Sequence, residues 1–150
     1  TVDGPGFRTA IYFAGCRHKC PGCHNPESWD FAGGREISVE NLLSIIEEND
    51  MDVSLSGGDP VYQTEELLPL CQGIKAQGKT IWLYTGFLFE ELWERHGGKT
   101  LLESVDVVVD GPFIEALRDT SLLFRGSSNQ RLIDSHLSTP DNIILWHSDF

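Results

Sequence analysis

Three of the four cysteines in this chain fall within eight residues, at Cys16, Cys20 and Cys23, in the run GCRHKCPGCHNP. Sulfurs that close together either pair with one another or hold something. Cys20 and Cys23 have the C-x-x-C spacing of a redox disulfide, but such motifs open a helix, and Pro26 hinders helix entry here. That reading also leaves Cys16 without a role. Structural zinc on the three thiols plus His18 or His24 would fix one loop and staple nothing, since every candidate ligand lies within nine residues. Three unrelated core cysteines fit poorly in so polar and Gly/Pro-rich a loop. An iron–sulfur cluster takes thiolate ligands, and a cubane needs four. Three cysteines therefore leave one iron without a protein ligand, and an open metal position is what catalytic sites keep. Cys71 sits with Leu67, Leu68 and Ile74 on an apolar helical face and reads as a small core residue. His18 reads as a solvated or supporting neighbour rather than a ligand.

These residues must be carried by something, and the hydrophobic periods alternate between strand and helix along the chain. Strands are expected over 9–14, 52–56, 80–85, 105–110, 131–133 and 143–147. Helices are expected over 38–49 (Ser38 as N-cap and Leu42, Leu43, Ile45 and Ile46 on one face), within 64–77, over 88–96 and near 113–118. Pro69 should delay or kink the second helix, and Gly78 should end it. Gly97 and Gly98 should close the third. Repeated β-α order implies right-handed crossovers and a mostly parallel sheet. A closed eight-unit barrel needs about 250 residues, and 150 are present. The expected class is α/β, a partial, open β/α barrel, in a single domain over 1–150.

In open α/β sheets, ligands gather beyond the carboxyl ends of the strands. The cysteine run, SGGDP (56–60), TGF (85–87) and DGPF (110–113) all follow strands, so all four fall on one edge. A lone GGDP is usually a plain turn. Beside a metal loop, Gly57, Gly58 and Asp59 become candidates to cradle a small polar ligand, because glycine backbone allows close approach.

The bulk composition excludes other classes. A net charge of −12, with 11 basic against 23 acidic residues, leaves no stripe for a phosphate backbone, so no nucleic acid is expected. No apolar run reaches the ~18 residues of a membrane span. No signal peptide is apparent, and a cytoplasmic location is expected.

C-x3-C-x2-C after a first strand resembles the radical S-adenosylmethionine enzymes. CRHKCPGCHNPESW resembles in particular the activases of anaerobic (class III) ribonucleoside-triphosphate reductases. The likeness continues through DGPGFR (3–8), LSGGDP (55–60), YTGF (84–87), VVVDGPF (107–113) and FRGSSNQRLID (124–134). It departs at the start, where relatives carry a few residues before DGPG. It departs also at Gly22, where many superfamily members have an aromatic residue. The tail STPDNIILWHSDF carries no motif.

The resemblance implies a 4Fe–4S cluster on Cys16, Cys20 and Cys23. It implies S-adenosylmethionine beside Gly22, Cys23, His24, Gly57, Gly58 and Asp59. It further implies reductive cleavage to a 5′-deoxyadenosyl radical, and hydrogen abstraction from a glycine of the large reductase subunit. An electron donor such as reduced flavodoxin would drive the cycle. Asp110 and Arg125 could be site residues or ordinary strand-end and surface charges, and Asn129 and Gln130 match a family motif with no role readable from sequence. The rival readings are an activase of another glycyl-radical enzyme, such as pyruvate formate-lyase, and a zinc-binding interaction module.

Overall fold

The structure is a computed structural model that describes residues 4–13 and 37–147. Cys16, His18, Cys20, Gly22, Cys23 and His24 lie outside the described residues. Among the described residues, five strands lie side by side in chain order: β1 (Arg8–Phe13), β2 (Asp52–Gly57), β3 (Ile81–Tyr84), β4 (Val107–Asp110) and β5 (Arg131–Asp134). The first four are parallel, and β5 turns back antiparallel to β4. Among the described residues the sheet is open, with β1 and β5 at its two edges. The crossovers contain α1 (Val39–Asn49), α2 (Thr64–Ala76), and then α3 (Phe89–Glu94) with α4 (Gly98–Ser104).

Strand side chains alternate between faces, and here the alternation divides the interior in two. Val53, Leu55, Ile81, Leu83, Val108 and Ile133 point to the face that all four helices cover, where they meet Ile46, Leu67, Phe89 and Leu101. A sheet laid down in sequence order with right-handed crossovers must put its helices on one side. On the other face Trp82, Val107, Val109 and Leu132 pack against Phe124 and Trp146. Trp82 meets Phe124 and Trp146 edge-on, at centroid distances of 5.3 and 4.9 Å. The valines of β4 are buried on both faces, as their unbroken run predicts.

Local signals account for most boundaries. Ser38 caps α1, its hydroxyl accepting the Asn41 N–H at 3.1 Å. Leu42 and Leu43 are partly buried and Ile46 fully so, but Ile45 turns outward and is 44% exposed. Gly78, at φ 77°, ends α2. Pro69 does not delay that helix, which runs from Thr64. The N–H that Pro69 lacks would have served the carbonyl of Glu65, an exposed first-turn residue that water can reach.

Three expectations need correction. The helix expected over 88–96 ends at Glu94, and Gly98 starts a second helix instead of closing the first. A Cβ on Gly98 would lie 1.7 Å from the Leu92 carbonyl oxygen, so glycine is present for close packing there rather than as a stop. The segment near 113–118 forms only a single 3-10 turn, Glu115–Leu117. The expected strand over 143–147 is an extended segment tied to β5 by one bridge, Ile133 with Leu145, flanked by the bonds Asp134 N–H to Ile144 O and Trp146 N–H to Leu132 O.

The amino ends of the strands are held by Asp106. Its carboxylate accepts from Lys75 Nζ at 2.9 and 3.1 Å and from the Ile81 N–H at 2.7 Å, and lies 2.9 Å from His136 Nε2. Burial pushes this carboxyl up. The bonds from Lys75, Ile81 and His136, with the Lys75 charge, outweigh it and hold the group below its ordinary range. A carboxyl depressed by folding contributes stability above its unfolded pKa of about 4 and loses it as pH falls through the folded value. Asp106→Asn should therefore destabilise the protein at pH 7 by about 1–2 kcal/mol. The gap from wild type should close below about pH 4. Urea midpoints at several pH values test this, and a gap that does not change with pH would refute it.

Candidate functional site

Four parallel strands deliver their carboxyl ends, and the loops that follow them, to one edge of the sheet. Phe13 and Gly57 are register partners at the ends of β1 and β2. Gly57 sits at φ 106°, and a Cβ there would fall 2.2 Å from the Phe13 nitrogen and 2.5 Å from its oxygen. Only glycine lets β2 press against β1 at this point. The next amide, Gly58 N–H, donates to Phe13 O at 2.7 Å. The SGGDP turn is thus sewn to the last residue of β1, three positions before Cys16.

Asp59 is fully buried. It caps the 3-10 turn Pro60–Gln63, accepting the Val61 N–H on Oδ1 at 3.1 Å. The same carboxylate accepts from the Thr85 hydroxyl, which lies 3.0 and 2.9 Å from its two oxygens, and from the Gly86 N–H at 2.9 Å. Thr85 Oγ1 accepts in turn from the Phe87 N–H at 3.1 Å. SGGDP and TGF are therefore one hydrogen-bonded unit. A buried carboxylate is tolerable only when its lone pairs are filled, and protein donors fill these. Asp59, read from sequence as a ligand-cradling residue, binds the second loop.

The pattern continues along the edge. Phe87 O accepts from Gly111 N–H at 3.0 Å. Gly111 O accepts from Gln130 Nε2 at 3.0 Å, and Pro112 O from Asn129 Nδ2 at 2.8 Å. Gln130 Oε1 accepts the Gly126 and Ser127 N–H groups at 3.0 and 3.1 Å. Asn129 and Gln130, without a role in the sequence reading, clamp the DGPF loop. Among the described residues, Asn129 Oδ1 and Arg125 Nε are buried without a hydrogen-bond partner.

Asp110 is not a surface charge. It is fully buried at the end of β4, accepts the Phe89 N–H at 2.7 Å where α3 begins, and receives both Nε and Nη2 of Arg131. Arg131 Nη2 also reaches Glu90 at 2.6 Å. Sequence reasoning quoted the motifs that contain Thr85 and Arg131 without giving either a role, and it missed Glu90. Their partners lie twenty or more positions away, so no local spacing announces them.

Cys71 is buried in the helix-side core, and burial pushes its thiol up to about 12. It stays protonated at neutral pH and cannot serve as a thiolate ligand without leaving the core. Among the described residues, no group of three His, Cys, Asp or Glu side chains could hold a metal ion. An open cleft of about 550 Å³, lined by Arg8, Trp82, Asp106 and His136, lies at the opposite edge, where the strands begin. Its charged groups serve internal bonds, so it is not the site that the loops build.

The chain is similar to several known proteins. A family described as a 4Fe-4S single cluster domain matches residues 2–133. The anaerobic ribonucleoside-triphosphate reductase-activating protein of Escherichia coli K12 is 38% identical over 86% of this chain and 89% of its own. Its namesake in Salmonella typhimurium is 39% identical over the same shares. The one in Enterobacteria phage T4 is 38% identical over 87% of this chain and 86% of its own. The chain belongs to the family of anaerobic ribonucleoside-triphosphate reductase-activating proteins. The family match takes in the cysteine run, SGGDP, TGF, DGPF and RGSSNQR, and leaves out the tail. Among the described residues of this activating-protein fold, no helix is long and apolar enough to cross a membrane.

The Asp110–Arg131 pair should prove costly to break from one side. Arg131→Met removes both side-chain donors and leaves a buried carboxylate holding one backbone N–H. The expected loss is about 3–5 kcal/mol, the scale of an orphaned buried charge. The Arg131→Met/Asp110→Asn double variant should recover part of it. Urea denaturation of the three proteins checks this, and equal stabilities would show that the pair contributes nothing.

Proposed function

We propose that this protein is the activating enzyme that installs a glycyl radical on an anaerobic ribonucleoside-triphosphate reductase. It would use a 4Fe–4S cluster and S-adenosylmethionine to do so. One observation carries the reading: a C-x3-C-x2-C run follows directly from the strand whose last residue is bonded to the SGGDP turn. When bound, the reduced cluster supplies the electron that cleaves S-adenosylmethionine and so leads to loss of a hydrogen atom from a glycine of the reductase.

The donor set fits that cluster. Cys16, Cys20 and Cys23 offer three thiolates and leave one iron for the amino acid end of S-adenosylmethionine. Cys71, protonated and buried, supplies no fourth. In this reading Gly22, Cys23 and His24 would neighbour the cofactor, as would Gly57, Gly58 and Asp59. The Gly58 N–H is already committed to Phe13 O. The turn therefore offers backbone carbonyl acceptors more readily than donors, which suits the ammonium group of the cofactor over its carboxylate. Asp59 holds those carbonyls in place through Thr85 and Gly86.

We read the open sheet as the partial barrel of radical S-adenosylmethionine enzymes, formed by one domain over 1–150. Its partners are the large glycyl-radical subunit and a low-potential donor such as reduced flavodoxin, met in the cytoplasm.

Iron per chain in four single variants, reconstituted together without oxygen, tests the assignment. Cys16→Ala, Cys20→Ala and Cys23→Ala should lose the roughly four irons of the wild type. Cys71→Ala should keep them, at a cost of about 1 kcal/mol in packing. With reductase, reductant and S-adenosylmethionine, the wild type should give a glycyl-radical electron paramagnetic resonance signal. One zinc per chain, or a fully loaded protein that never yields the signal, would end the reading.

A further inference from the structure

The Thr85 hydroxyl stands between the turn proposed to receive S-adenosylmethionine and the loop after β3. It is 6% exposed and lies 2.9–3.0 Å from both oxygens of a fully buried Asp59, while accepting the Phe87 N–H at 3.1 Å. A threonine hydroxyl has one proton to give and lone pairs to receive, and both capacities are used here. Its own N–H is anchored to Val109 O at 3.0 Å, so the group is held from the sheet side. Asp59 starts the 3-10 turn that follows Gly57 and Gly58, and Gly58 is fixed on its other side by Phe13 O. Among the described residues, the glycine turn is held from two sides, by the end of β1 and by Thr85 through Asp59.

We propose that Thr85 is a positioning residue for S-adenosylmethionine, setting the affinity of the SGGDP turn through Asp59 without touching the cofactor. The inference rests on the proposed function, in which that turn receives S-adenosylmethionine. Without the hydroxyl, Asp59 would lose the donor that Thr85 supplies, and the Phe87 N–H would lose the Thr85 acceptor. Both loops would then be free to separate by small rotations that the cofactor must reverse on binding, at the expense of affinity.

The test uses the anaerobically reconstituted protein with S-adenosylmethionine in equilibrium dialysis, beside iron analysis. Thr85→Val keeps the branched shape and removes the hydroxyl. It should retain wild-type iron and raise the dissociation constant about ten-fold or more, the scale of one lost bond to a buried charge. Thr85→Ser restores the donor and should bind within about three-fold of wild type. Hydrogen exchange on the wild type gives a readout independent of any variant's folding. S-adenosylmethionine should slow exchange at Val61, Gly86 and Phe87 together, because both loops settle as a unit. Normal binding by Thr85→Val, or protection confined to the SGGDP loop, would overturn the inference and leave the proposed function standing. A wild type with its full cluster that does not bind S-adenosylmethionine would overturn both.

Discussion

A single buried carboxylate organises the edge on which the proposed site lies. Asp59 is fully buried, and it accepts hydrogen bonds from its own turn and from the loop after the neighbouring strand. An ionised group in that position is stable only while those donors stay in place, since each one withdrawn exposes the cost of desolvating a charge. The carboxylate thus ties the two loops to each other, because its hydrogen bonds need donors from both within a narrow range of distance and angle. Strand order then spreads the constraint. TGF is bonded to DGPF through Phe87 O, and DGPF is clamped by Asn129 and Gln130. From Phe13 to Gln130 the edge is one connected network.

The sheet makes such a network possible. Parallel strands in sequence order bring every β-to-α loop to the same side, and right-handed crossovers keep the helices on one face. The opposite edge does different work. Asp106 there ties α2, β3 and the segment after β5 together through Lys75, the Ile81 N–H and His136. Arg8 spends Nε on Ser54 and Nη2 on the Val53 and Thr80 carbonyls. Both ends of the sheet use buried or half-buried charge. At the strand starts it closes the structure, and at the strand ends it joins the loops to one another.

What could be read from the sequence was what depends on neighbours in the chain. Ser38 as a cap, Gly78 as a stop, the β4 valines as a strand buried on both faces and Cys71 as core all follow from spacing within a turn or two, and the structure has each of them. Gly98 was misread because a glycine that ends a helix and one that admits a close backbone crossing look alike in sequence. Only the Leu92 carbonyl beside it distinguishes them. The segment over 143–147 has the composition of a strand, but a single bridge to β5 is all it forms. Asp59 was legible as a residue of importance and not as a residue with protein partners, since Thr85 lies twenty-six positions away. The cluster of motifs on one edge needed only strand order. The bonds that join those motifs needed coordinates.

The distribution of cysteines follows the same division between what holds the fold and what remains available for chemistry. Cys71 packs between helix and sheet, where the absence of water holds its proton on and makes it a poor metal ligand and a poor nucleophile. A thiolate needs water, positive charge or a metal nearby, and none of these belongs in an apolar core. Ligands for a reactive cluster must therefore come from a loop, and a loop can hold geometry only if its base is rigid. The run from Cys16 to Cys23 leaves from β1, whose last residue is paired to Gly57 and bonded to the Gly58 amide. Through that turn and Asp59, the base of the cysteine run is tied to the loops after β3 and β4. With the cysteines after the first strand and the buried carboxylate after the second, one network holds the strand end from which the proposed metal loop departs and the turn beside it.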